Sequence, residues 1–144
     1  MTVDYEWRGA FASTEANELH AQAFATRRFS DDEWDWEDLT RRHSLGWVTA
    51  RAKGRLVGFV NVVSDGLVHA WIQDVMVDVA TRHQGVGRRL VDVAREGARE
   101  AGCEWLHVDF DEALAPFYLD SCGFTPTRAG LYALQRETPS ASLA

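Results

Sequence analysis

The sequence predicts a single-domain α/β fold: a mixed, mostly antiparallel twisted sheet with elements in the order β-α-α-β-β-β-α-β-α-β-β. Three β-rich segments follow one another across the turn dipeptides Lys53-Gly54 and Asp65-Gly66, the pattern of an antiparallel meander. From Val86 the apolar period lengthens from that of a strand to that of a helix, so one Gly-bearing loop separates the two. A chain of 144 residues suits one core, and at that size roughly 70% of the unfolded chain's surface is buried on folding.

Val3 to Arg8 reads as a short strand, and Ser13 to Phe24 as a helix with Ala16, Leu19, Ala23 and Phe24 at helical spacing. Ser30 with Glu33 three residues on matches a capping box, which predicts a second helix from near Asp31 to Arg41 or Arg42, its first turn acidic as the helix dipole favours. The meander strands are expected at Trp47 to Ala52, Leu56 to Ser64 and Val68 to Asp78. A third helix follows, with Val86, Leu90, Val93, Ala94, Gly97, Ala98 and Ala101 on one face and Gly102 as its stop. Gly97 inside it costs about 1 kcal/mol relative to Ala, which fits a helix lying close against a sheet. Trp105 to Phe110 reads as a strand, Ala113 to Cys122 as a helix, and Phe124 to Leu134 as one or two last strands broken near Arg128 to Gly130. One domain over residues 1–137 is expected, with a flexible Ser/Ala/Pro tail from Thr138 to Ala144.

Composition narrows the function classes. Hydrophobic residues at 46% and charged residues at 26% are normal for a globular domain. Apolar runs such as Leu56 to Val63 fall far short of the roughly 20 residues that span a bilayer, and Met1 to Ala10 lacks a signal-peptide pattern, so a cytoplasmic protein is expected. Cys103 and Cys122 are the only cysteines, with no His at metal-ligand spacing, so neither a disulfide framework nor a metal site is expected. A net charge of -7 argues against nucleic-acid and anionic-membrane partners, which demand a basic face.

Within this acidic chain, Arg82, His83, Arg88 and Arg89 crowd around Gly85 and Gly87. A strand, the loop Arg82-His83-Gln84-Gly85-Val86-Gly87, then a helix opening with two arginines make an anion cradle. Glycines let the backbone approach an anion, the free N–H groups and dipole of the helix start attract it, and arginines add charge-assisted bonds. The same residues also suit a plain strand-to-helix turn. A dinucleotide-binding loop would want Gly or Ala where Leu90 stands and would follow the first strand; a P-loop would end in Gly-Lys-Ser/Thr, which is absent.

Arg82, Gly85 and Gly87, preceded by Ile72-Gln73-Asp74-Val75-Met76-Val77 and followed by Phe117-Tyr118 and Gly123-Phe124, resemble the GNAT N-acetyltransferase superfamily. The likeness runs from about Leu45 to Leu134; the first 44 residues match only in layout. It implies helices on both sheet faces and acetyl-CoA as co-substrate, with no metal. The diphosphate would lie on the amides from His83 through Gln84, Gly85, Val86 and Gly87 to Arg88, beside Arg82. The pantetheine arm would lie along Val75, Met76 and Val77 as though it were another strand, with an oxyanion donor near Val75.

The resemblance further implies direct attack by an amine on the thioester, with Tyr118 as general acid toward the departing thiolate. One extra residue separates Tyr118 from Gly123, and one residue turns a helical side chain by about 100 degrees, so either the helix is distorted or its phase is set from its start. An aromatic core anchor is the other reading of Tyr118. Asp74, interrupting an apolar strand, is the first candidate for base, against a solvent-facing or structural carboxylate; His69, His107 and Asp109 are reserves. Ser30 to Asp38, with Trp34 and Trp36, would favour a cationic acceptor if it borders the site, and otherwise forms a solvated amphipathic face. A small-molecule amine is the expected acceptor, ahead of a protein N-terminus or lysine, and a homodimer stays open. Rival classes are a non-catalytic acyl-CoA-binding module and a dinucleotide-dependent oxidoreductase.

Overall fold

The computed structural model describes residues 1–135. Its described elements are β1 (Asp4–Trp7), α1 (Ser13–Ala23), α2 (Trp36–His43), β2 (Ser44–Ala52), β3 (Arg55–Ser64), β4 (His69–Val77), α3 (Val86–Glu100) and β5 (Trp105–Val108), followed by a short 3₁₀ turn (Glu112–Leu114) and a π-helical segment (Pro116–Ser121). The sheet runs β1-β2-β3-β4-β5, antiparallel except for the β4–β5 pair. The expected mixed, mostly antiparallel sheet with its central meander is present.

Helices cover both sheet faces because the long strands bury apolar residues on both. On one face Leu90, Val91, Ala94 and Ala98 of α3 pack on Val48, Ala50, Val60, Val62 and Ile72. On the other, Ala16 and Leu19 of α1 and Trp36 of α2 pack on Leu56, Phe59 and Met76. The close approach expected at Gly97 is made by the Trp7 ring of β1, which a Cβ on Gly97 would meet at 2.5 Å; a Cβ on Gly46 would meet the same ring at 2.1 Å.

Three expectations are corrected. The Ser30–Glu33 capping box forms, with Glu33 N–H donating to Ser30 Oγ (3.2 Å) and Ser30 N–H to Glu33 Oε1 (3.0 Å), yet it closes only a turn. Asp35 ends that turn because its carboxylate accepts from Asp38 N–H (2.9 Å) as the cap of a later helix, α2. The helix expected at Ala113 to Cys122 is instead 3₁₀ and then π-helical, with Cys122 N–H donating to Phe117 C=O (2.9 Å) across five residues. Among the described residues, Phe124 to Leu134 contains no strand: residues 125–135 are exposed throughout and no neighbouring strand pairs with them. The tail expected at 138–144, and the end of the domain at 137, lie outside the described residues.

Candidate active site

The site arises where β4 and β5 part. Their parallel pairing ends at Ile72↔Val108, whereas β4 continues to Val77 with only β3 beside it. The β5-facing edge of β4 is therefore open over its second half. At the start of this open stretch β4 bulges, with Phe59↔Met76 and Asn61↔Gln73 leaving an extra residue between, and Asp74 takes a left-handed φ of 57°. A bulge re-aims the strand's backbone groups and is a common device beside active sites.

The loop after β4 is anchored from several sides. Asp78 N–H donates to Val57 C=O (2.8 Å), and the nearly buried Asp78 carboxylate accepts from Ala80 N–H (2.8 Å) and Arg55 (2.6 Å). Gln22 of α1 accepts from Val79 N–H (2.8 Å). Arg82 donates to the Ala23 carbonyl at the end of α1 (2.6 Å), so this arginine ties α1 to the loop as well as bordering the site. The chain then turns through left-handed His83 (φ 64°) and Gly85 (φ 80°) into α3. Arg89 N–H closes the first turn on Gly85 C=O (3.0 Å), and among the described residues no backbone or side-chain acceptor meets the amides from His83 to Arg88. Consecutive free amides at a helix start, with no acidic residue in the first turn, form a concave anion site.

These features enclose a cleft of about 700 Å³ lined by Val75, Val77, Arg82, His83, Gly85, Val86, Gly87 and Arg88, all among the sequence candidates. Two candidates do not line it. Met76 is fully buried in the core of the opposite face, because the strand alternation that turns Val75 and Val77 toward the cleft turns Met76 away. Gln84 is exposed on the outside of the loop. The far wall, which sequence reasoning did not assign to the site, comes from Asp111, Leu114, Phe117 and Ser121, with Ala23 and Phe24 closing the α1 side. The signal for it was Gly87, whose missing Cβ leaves room for the Phe117 ring: a Cβ there would stand 3.2 Å from that ring.

Tyr118 lines the cleft, is 2% exposed, and its hydroxyl has no hydrogen-bond partner among the described residues. Phe110, Phe117 and Phe124 pack around its ring. Burial, with a smaller contribution from Cys122, pushes its pKa up to about 12, so the phenol keeps its proton throughout the neutral range. The extra residue between Tyr118 and Gly123 is absorbed by the wider π-helical turn, the local distortion that the spacing allowed.

Asp74 stands one residue before Val75 but outside the cleft lining. Its carboxyl has no ion pair or hydrogen bond among the described residues, and desolvation pushes its pKa up to about 6. His69, His107 and Asp109 also lie outside the cleft. His69 Nδ1 and His107 Nε2 approach to 2.9 Å with Trp71 stacked on His107, at the paired end of β4 and β5.

The acidic stretch before and within α2 is engaged internally. Asp31 accepts from Thr14 (2.7 Å) and Asn17 (3.0 Å), Glu33 holds a forked pair with Arg27, Glu37 accepts from Ser13 N–H (3.0 Å), and Asp38 pairs with Arg41 and Arg42. Trp36 is buried with its indole N–H on Asn17 (2.8 Å), and Trp34 is 45% exposed. Asp35, Glu37 and Asp38 line a second cleft of about 500 Å³ with Phe11 and Trp47, away from the residues around the loop.

A deep groove along an open strand edge, ending on free helix amides, defines a protein shaped for an extended ligand with an anionic end. The model of the acetyltransferase (GNAT) family matches residues 10–124, and the chain belongs to that family. A search of curated proteins found no match. Among solved structures, a Trypanosoma brucei acetyltransferase is similar at 26% identity and TM-score 0.71, covering 90% of this chain and 99% of its own. The aminoglycoside acetyltransferase AAC(6')-Iy, bound to a CoA-containing bisubstrate analogue, shares the fold at 18% identity and TM-score 0.74, covering 94% and 99%. Glucosamine-6-phosphate N-acetyltransferase from Arabidopsis thaliana shares it at 17% identity and TM-score 0.70, covering 90% and 97%.

Proposed function

We propose that this member of the acetyltransferase family moves an acetyl group from acetyl-CoA to a small-molecule amine, in the cytoplasm, by direct attack in a ternary complex. The observation that carries the reading is the run of unpartnered amides from His83 to Arg88 at one end of a cleft whose other wall holds a buried, unpartnered phenol. The diphosphate of acetyl-CoA would lie on those amides beside Arg88, and its pantetheine arm would add to the open edge of β4 at Val75 and Val77.

In the proposed chemistry the amine nitrogen attacks the thioester carbonyl, and a β4 amide at the bulge near Val75 stabilises the oxyanion. Asp74, ionised above its pKa of about 6, takes a proton from the incoming ammonium through water, since it borders rather than lines the cleft. As the C–S bond breaks, Tyr118 donates its proton to the sulfur, and the second proton leaving the nitrogen restores the phenol. The products are an acetamide and CoA thiol.

The aminoglycoside and glucosamine-6-phosphate enzymes that share the fold support a small-molecule acceptor over a protein one. The net charge of -7 and the exposed Trp34 favour a cationic amine, although most carboxylates of the acidic stretch already hold internal partners. Titration with acetyl-CoA, followed by thiol release across amines of differing charge, tests this reading. Binding with amine-dependent thiol release is expected; binding without release for any amine would leave a CoA-binding module, and no binding would end it.

A further inference from the structure

The C-terminal side of the sheet is left incomplete. β5 is an outer strand of only four residues, with β4 on one side and no partner on the other among the described residues. An open edge offers unpaired N–H and C=O groups to another strand. Leu106, Val108 and Phe110 pack against the core yet are only partly buried, and Trp105 is 63% exposed, so the apolar margin beside that edge is uncovered.

The segment that could cover it points elsewhere. Residues 125–135 are exposed throughout, and the last backbone bond recorded before them is Phe124 N–H to Tyr118 C=O. Leu131, Tyr132 and Leu134 are 63%, 80% and 90% exposed. With Ala133 they make a run apolar on both strand faces, which suits a strand covered on both sides rather than a solvated loop. At the root of the arm, Pro126 fixes its own φ and holds Thr125 extended, a stiff hinge that directs the chain outward. The nine residues beyond it reach roughly 30 Å when extended, enough to cross to a neighbouring subunit.

We propose that the arm of residues 125–135 pairs with the outer edge of β5 in a second copy of the chain, each copy giving its arm to the other. The exchange satisfies the β5 edge by β-addition and covers Leu106, Val108 and Trp105 with the apolar face of the arm. It stands independently of the catalytic reading, because none of these residues lines the cleft.

Sedimentation of the full chain over a range of concentrations should give a species of twice the chain mass, and a monomer at every concentration would overturn the proposal. The double variant Leu131→Asp, Leu134→Asp alters only side chains already exposed in the single chain, so it should keep its thermal melt and sediment as a monomer. A dimer that survives both changes would contradict arm exchange. A photo-crosslinker at position 132, in equal mixtures of isotope-labelled and unlabelled protein allowed to exchange, gives a second readout. Peptide pairs joining the arm to β5 should be isotopically mixed; pairs of one isotope alone would mean that the arm folds onto its own β5, and would refute exchange.

Discussion

At one end of the cleft the chemistry belongs to the backbone: six amides from His83 to Arg88 point at one place because Gly85 and His83 are left-handed and α3 begins there. At the other end it belongs to isolated side chains, the Tyr118 phenol and the nearby Asp74 carboxyl, each raised in pKa chiefly by desolvation. A backbone site distributes an anion over many small dipoles and survives most side-chain changes. A side-chain site concentrates the proton traffic on single atoms, so single substitutions there should be severe. This difference in material predicts where the protein is fragile.

The largest effect should come from Tyr118→Phe, which removes one oxygen from a packed ring. Turnover should fall by about 100-fold or more, with acetyl-CoA affinity changed by less than about 3-fold. Unchanged turnover in steady-state kinetics would leave Tyr118 as a core aromatic. Asp74→Asn should come next: in the parent protein, activity should rise with pH through about 6 as the carboxyl ionises. The variant should lose that limb and about 10-fold or more in turnover at pH 7, and a full pH–rate profile checks both. Gly85→Ala places a Cβ on a φ of 80°, costing about 1 kcal/mol, so acetyl-CoA should bind about 5-fold more weakly by calorimetry with turnover of the bound complex nearly preserved.

The smallest effect reverses the usual sign. Burial raises the Asp74 pKa in the folded protein above its unfolded value, so the folded state holds the proton more tightly. Its contribution is most favourable below about pH 4 and is lost as pH rises through about 6. Asp74→Asn should therefore raise stability at pH 8 by about 1–2 kcal/mol and leave it nearly unchanged below pH 4, as measured by denaturant melts.

The backbone end was legible in the sequence because glycine spacing and a period change are local signals: Gly85, Gly87 and the start of α3 at Val86 stand where they were expected. The meander was legible for the same reason, since Lys53-Gly54 and Asp65-Gly66 fix its turns. What the sequence hid depended on competition between neighbours. Asp35 displaced Ser30 as the cap of α2, a contest that no local pattern ranks. The far wall required a π-helical turn, which shows only as one surplus residue between Tyr118 and Gly123. The apolar, β-prone run of Leu131 to Leu134 reads as a strand, but a strand needs an edge, and a single chain's sequence does not say whose edge it uses.

The central claim is that an anionic ligand settles on the amides where α3 begins, and backbone amide NMR during titration with CoA tests it most directly. The amide resonances of Gly85, Gly87 and Arg88 should move farthest and saturate together, and pantetheine, which lacks the diphosphate, should leave them nearly unmoved. Largest shifts elsewhere in the chain, with those three amides unchanged at saturating CoA, would contradict the account.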